Sequence, residues 1–135
     1  MAEWNLADIW DNVAASVPDE SALIHDGVHH TWGETERRAN GLARHLLDAG
    51  CGHRAAVAFY LHNRPEYLEL MYASAKASLT HVNTNHRYVA AELEYLWTNA
   101  DAEAIVFQGT FTEQVAALRD RLPLCLLYTS DAADE

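Results

Sequence analysis

Basic residues are scarce in this sequence: 9 Lys and Arg stand against 20 Asp and Glu over 135 residues, a formal charge of −11. Nucleic-acid and anionic-membrane surfaces need clustered cations to displace counterions, so the balance argues against both partners. Cysteine is rarer still. Cys51 and Cys125 lie far apart with no C-x-x-C, which reads as a cytosolic chain with free thiols rather than a disulfide scaffold. No apolar run approaches the ~18 residues of a spanning helix. Met1-Ala2-Glu3-Trp4 has neither the basic start nor the apolar core of a signal peptide, and there is no N-x-[ST] acceptor.

The usual chemical signatures are missing too. Neither G-x-G-x-x-G nor G-x-x-x-x-G-K-[ST] follows any apolar run, so no phosphate cradle can be placed. G-x-S-x-G, H-E-x-x-H and calcium-loop patterns are absent as well.

What remains is ordinary folded composition, 50% hydrophobic and 21% charged, in about one domain's length. Behind Asn5, a cap, Leu6, Ile9, Trp10, Val13, Ala14 and Val17 recur at helical spacing up to Pro18. Asp26-Gly27 inside ALIHDGVHHTW predicts a hairpin with a two-residue turn. Thr31 and Glu34 form a T-x-x-E capping box for a helix with Ala39, Leu42, Ala43, Leu46 and Leu47 inward, closed by Gly50. Ala55–Leu61 and Ala104–Phe107 are unbroken apolar runs, the pattern of parallel strands buried on both faces. A helix with Leu68, Met71, Tyr72 and Ala75 inward, a weaker strand at Leu79–Val82, and a helix with Val89, Leu93, Leu96 and Trp97 inward separate them. A last helix carries Phe111, Val115, Leu118 and Leu122. The order predicts an α/β fold of three layers, a largely parallel sheet with helices on both faces, preceded by a helix and a hairpin.

Candidate reactive residues find no company in the sequence. His25, His29 and His30 cluster on the hairpin, and His81 and His86 flank the NTN segment, without the Cys pair or carboxylate spacing of a zinc site. Lys76 reads as dipole compensation or a solvated tip at a helix end. Glu92 and Glu94, two apart, cannot face each other on a helix. Cys51 sits in a turn between two glycines without a histidine-based triad. Trp10, Trp32, Trp97, Tyr67 and Tyr72 are read as core aromatics.

Residues 125–135 have a different character. Cys125–Asp134 can be written with the codons TGT CTC TTA TAC ACA TCT GAC GCT GCC GAC, with GA and a purine for Glu135, a string that resembles the end of a transposase-type sequencing-library adapter. The expectation is that 1–124 is an incomplete N-terminal piece of a longer protein and 125–135 an adapter-derived tail. Leu124–Tyr128 is apolar enough to fill the place of a next strand, while Ser130–Glu135 has no periodicity and is expected to be disordered. Without Asp131, Asp134 and Glu135 the charge is 9 minus 17, or −8.

The ordered motifs resemble a known family. Thr31-Trp32, Arg38-Ala39-Asn40-Gly41-Leu42-Ala43, Asn63 with Glu66, Lys76, Asn83-Thr84-Asn85-His86-Arg87-Tyr88 and Glu92-Leu93-Glu94-Tyr95-Leu96 are similar to the N-terminal region of adenylate-forming acyl-CoA synthetases. The turn between Gly50 and Arg54 is shorter than usual there, and His81 replaces a frequent Pro. The resemblance implies an acid–thiol ligase that uses ATP, Mg²⁺ and coenzyme A on a carboxylic acid, with the NTNHRYV segment leaning toward fatty-acyl members. It also implies that the phosphate loop, nucleotide contacts and second-domain lysine follow the region present. No catalytic, cofactor-binding or metal-ligating residue is therefore assigned, Lys76 included, and the piece alone is expected to be inactive. The alternatives are a complete small acidic α/β binding module, or a piece of another adenylating enzyme such as an aryl-CoA ligase or a peptide-synthetase adenylation domain.

Overall fold

The computed structural model describes residues 4–122 and the backbone of Cys125–Thr129. Ser130–Glu135, expected to be disordered, lie outside the described residues. The chain divides into two compact units, 1–53 with 63–79, and 54–62 with 80–135.

The first unit holds helix α1 (Leu6–Ser16), strands β1 (Ser21–His25) and β2 (Val28–Thr31), helix α2 (Trp32–Asp48) and helix α3 (Pro65–Lys76). Asn5 caps α1 through its side chain and closes a capping box with Asp8. β1 and β2 pair antiparallel. Asp26 at φ 50° and Gly27 at φ 77° turn between them, both left-handed, as a two-residue hairpin demands. Thr31 and Glu34 form the expected box on α2. Gly50, at φ 101°, ends that helix; Cys51 N–H reaches Leu46 O and Gly50 N–H reaches Leu47 O, satisfying carbonyls the helix leaves open. Ser78 (φ 57°) repeats the device after α3, with Leu79 N–H on Ser74 O.

The core of this unit is built from Ala7, Ala39, Ala43, Tyr72 and Ala73. Alanines at the contacts let helix axes approach closely, and Tyr72 fills the remaining space. This corrects the first helix's inward stripe. Leu6, Ile9 and Val17 are 41%, 54% and 40% exposed, whereas Ala14 is buried and Trp10 and Val13 partly covered as expected, and Ala7 is buried besides. Leu47, expected inward on α2, is also half exposed. On α3, Tyr72 is buried as expected, joined by Glu69, Leu70 and Ala73, with Leu68, Met71 and Ala75 only partly covered.

The second unit holds β3 (Ala56–Tyr60), β4 (Thr80–Asn83), helix α4 (Ala90–Asn99), β5 (Ala102–Gln108), helix α5 (Thr112–Leu118) flanked by 3-10 turns, and β6 (Cys125–Thr129). The strands form one sheet in the order β4-β3-β5-β6 with every pairing parallel. β3 and β5 are thus interior, and Val57–Tyr60 and Ala104–Phe107 are all buried, as their unbroken apolar runs required. The backbone of β6 lies in the slot foreseen for 124–128. Tyr60, Leu93, Trp97, Ile105, Val115 and Leu118 are fully buried in one cluster. Val89, expected inward on α4, instead precedes the helix and is 60% exposed.

Candidate functional site

Parallel α/β sheets bind ligands outside the carboxyl ends of their strands, where the strand order reverses. Here β4 lies on one side of β3 and β5 on the other, so the reversal falls between β3 and β5. The residues that leave those two strands meet across it. The His62 backbone N–H donates to Gln108 Oε1 at 3.1 Å, and His62 Nδ1 lies 3.2 Å from the same oxygen. A backbone N–H can only donate, so the Gln108 atom facing His62 is its oxygen. That oxygen only accepts, so the Nδ1 facing it carries a proton.

Rings stack outward from the core to this point. Trp97 meets Tyr60 edge-on at 5.7 Å, Tyr60 stacks on Phe111 at 4.2 Å, and Phe111 lies 5.0 Å from His62. His86, from the loop after β4, closes the series at 4.7 Å from His62. The loop is pinned from beneath: Tyr60 OH donates to Tyr88 O at 2.9 Å, and the Trp97 indole N–H donates to Thr84 Oγ1 at 3.1 Å. Burial, then the Glu92 charge, raises the Tyr60 phenol above its ordinary value, so it stays a donor. Sequence reading missed His62 and Gln108 as a pair. The available signal was a polar residue directly after each buried strand run.

The arrangement can offer a hydrogen-bond acceptor and two exposed imidazoles. The helix that follows β3 carries Glu66 in its first turn, gripped by Arg64 at 2.7 Å. The one that follows β4 has Glu92 bonded to the Val89 N–H at 2.7 Å. Each of these carboxylates is thus held within its own helix start.

The other singled-out residues have structural partners. Lys76 is no solvated tip: its side chain is 13% exposed and pairs with Asp11 at 2.7 Å and Glu36 at 3.4 Å. It also stands 4.7 Å over the Tyr72 ring, whose hydroxyl donates to Asp11. Burial, reinforced by Asp11, drives the Tyr72 phenol far above its ordinary range. Arg38 Nε contacts both Glu69 oxygens at 2.8 Å. Glu94 pairs with Arg121, His29 Nδ1 meets Ser21 Oγ at 2.7 Å, and His81 stacks on Phe59. Cys51 is buried. Among the described residues no three His, Cys, Asp or Glu side chains gather to hold a metal ion.

A family model for the AMP-binding enzyme matches residues 10–135. The chain belongs to the AMP-binding enzyme family. A medium/long-chain-fatty-acid–CoA/3-oxocholest-4-en-26-oate–CoA ligase of Mycolicibacterium smegmatis is 35% identical over 133 residues, 97% of this chain but 24% of that protein. A 3-oxocholest-4-en-26-oate–CoA ligase of Rhodococcus rhodochrous is 34% identical over 120 residues, 89% of this chain and 22% of that one. In fold, a benzoate CoA ligase from Burkholderia xenovorans superposes with a TM-score of 0.88 at 20% identity, over 94% of this chain and 26% of its own. This member of the AMP-binding family thus spans about a quarter of the length of the curated relatives it matches. Among the described residues no helix is long and apolar enough to cross a membrane.

Proposed function

We propose that this chain is the N-terminal piece of an AMP-forming acid–thiol ligase acting on fatty or steroid side-chain acids. The observation that carries the reading is the 35% identity across nearly all of the chain to a ligase named for such acids. In that reaction a carboxylate attacks the α-phosphorus of ATP, giving acyl-AMP and pyrophosphate. The coenzyme A thiol then attacks the acyl carbon, releasing AMP and a proton as the thioester forms. On this reading Mg²⁺ and the phosphate contacts come from residues beyond this piece.

The part played by residues 1–124 is architectural. They supply buried parallel strands and the ring-backed His62–Gln108 edge, on which the remainder of the large domain builds. The same reading takes 125–135 as translated adapter, places the protein in the cytosol, and makes the 135-residue chain inactive alone. The test compares this chain with a version completed from the genome, assayed for pyrophosphate release and thioester formation with ATP, Mg²⁺, coenzyme A and a panel of fatty and steroid acids. Acid-dependent turnover by the completed protein alone is the expected result. Turnover by the short chain removes the claim that it is only architectural; silence of the completed protein on every acid removes the ligase.

A further inference from the structure

His62 and His86 are the two rings at the outer end of the aromatic series. Both residues are exposed, and their ring centres lie 4.7 Å apart with the planes tilted by 49°. That separation has a chemical meaning. Bonds of ~2.0–2.1 Å from one divalent ion to a nitrogen of each ring, set at right angles to tetrahedral angles, hold two imidazole centres about 4.5–5.2 Å apart. The observed spacing falls inside that interval, so one ion reaches both rings by rotation of side chains alone.

The way His62 is held is a second, independent observation. A metal-binding histidine donates the ring N–H that faces away from the metal to a carbonyl or carboxylate, which fixes the ring and its tautomer. Gln108 Oε1 stands in that place, accepting the His62 backbone N–H at 3.1 Å and facing Nδ1 at 3.2 Å. A neutral His62 so held carries its lone pair on Nε2. Phe111 backs the same ring at 5.0 Å. Among the described residues no hydrogen bond occupies His62 Nε2 or the His86 ring. His86 stands on the loop anchored by Tyr60 on Tyr88 O and by Trp97 on Thr84, so both backbones are in place before an ion arrives.

We propose that His62 and His86 form a two-imidazole site for a divalent transition-metal ion of the Zn²⁺ and Cu²⁺ class, with Gln108 as the positioning residue behind His62. Imidazole nitrogens select these ions over Mg²⁺ and Ca²⁺, which take oxygen ligands. Two protein ligands leave the remaining positions of the ion to water, so it exchanges with solution. All three residues belong to the second compact unit, and the ion clips the loop after β4 to the end of β3. The chain's formal −11 favours the approach of a cation. The site stands on this unit's own geometry and does not depend on the ligase reading.

The test titrates Cu²⁺ and, in competition, Zn²⁺ into the 135-residue chain without an affinity tag, by calorimetry and by electron paramagnetic resonance of the bound Cu²⁺. One ion per chain is expected, with nitrogen coupling from two imidazoles. His62→Gln and His86→Gln each weaken binding by roughly tenfold or more and leave coupling to one imidazole. Gln108→Leu weakens binding about tenfold while both imidazoles stay in the spectrum, and Gln108→Glu, which keeps the acceptor, restores it. Replacing His25, His29 and His30 of the hairpin together by Gln leaves the affinity unchanged. Circular dichroism checks that each variant is folded, and should the short chain aggregate, the same titration of the genome-completed protein decides. No binding of either ion, binding that survives the double replacement of His62 and His86, or binding lost with the hairpin histidines each overturn the site. Equal affinity in Gln108→Leu removes Gln108 as its positioning residue.

Discussion

The Lys76 ammonium donates to Asp11 Oδ1 at 2.7 Å, bridging residues 65 apart in sequence and tying α3 to α1. Because Lys76 is 13% exposed and Asp11 46%, the pair sits between a surface ion pair and a buried one. Replacing Lys76 by Met leaves Asp11 and Glu36 facing each other without their cation. The expected loss is about 1–2 kcal/mol, below the figure for a fully buried pair because water reaches Asp11. Urea midpoints followed by circular dichroism measure it.

The same pair sets a pH dependence. Burial raises the Asp11 carboxyl, but hydrogen bonds from Lys76 and Tyr72 and the Lys76 charge outweigh that and hold it below its ordinary value. A depressed carboxylate contributes stability that is present above its unfolded pKa and lost as pH falls through the folded one. Stability of the native chain therefore declines below about pH 4, and Lys76→Met flattens that decline. An unchanged acid slope in the variant would remove Lys76 as its cause.

Arg38 and Glu69 give the opposite sign. Burial raises the Glu69 carboxyl, and Arg38 offsets it only in part. A group whose folded pKa is raised gives stability that is fully present below the unfolded pKa and lost as pH rises through the folded one. Arg38→Met removes the offset from a carboxylate side chain that is 4% exposed. The variant is destabilised by roughly 2 kcal/mol at pH 7, under the full buried-pair figure because Arg38 is half exposed. It recovers much of that loss near pH 5. Denaturation at the two pH values separates this from a simple packing defect, which would cost the same at both.

Thr84 accepts the buried Trp97 indole N–H. Thr84→Val keeps the shape and orphans that donor, a loss of about 1–3 kcal/mol. Trp97→Phe alone opens a cavity, but in its presence Thr84→Val costs little, since no donor remains to be orphaned. A double-mutant cycle on unfolding free energies measures the coupling.

Two helices end on non-glycine residues in the left-handed region, Ser78 at φ 57° and Asp101 at φ 52°. Ser78→Gly relieves that strain at an exposed position and is expected to stabilise by about 0.5–1 kcal/mol. A lower unfolding midpoint in this variant would show that the Ser78 side chain makes a contribution larger than the strain.

Local chemistry was the legible part of the sequence. The Asp26-Gly27 turn, the Thr31–Glu34 box and the two apolar strand runs each depend on residues within a few positions of one another, and each stands where it was expected. The face of α1 was only partly legible: Trp10, Val13 and Ala14 are covered as expected, but Leu6 and Ile9 lie outside and Ala7 inside. Which side is covered depends on α2 and α3, whose own alanines favour close approach over bulk. The role of Lys76 depends on Asp11 and Glu36, residues that no local pattern links to it. His62 and Gln108 become a pair only once the strand order places β3 beside β5.

Each compact unit is stitched from two separated stretches of chain, and the boundary is crossed at residues 53–54, 62–63 and 79–80. No single cut can release either unit whole. During synthesis β3 leaves the ribosome before either of its sheet neighbours does, with Val57–Tyr60 still uncovered. Its partners follow roughly 20 to 50 residues later, seconds at ordinary elongation rates. That delay leaves an apolar segment exposed for a time, and the maturation of the first unit is tied to a helix, α3, that emerges only after the second has begun.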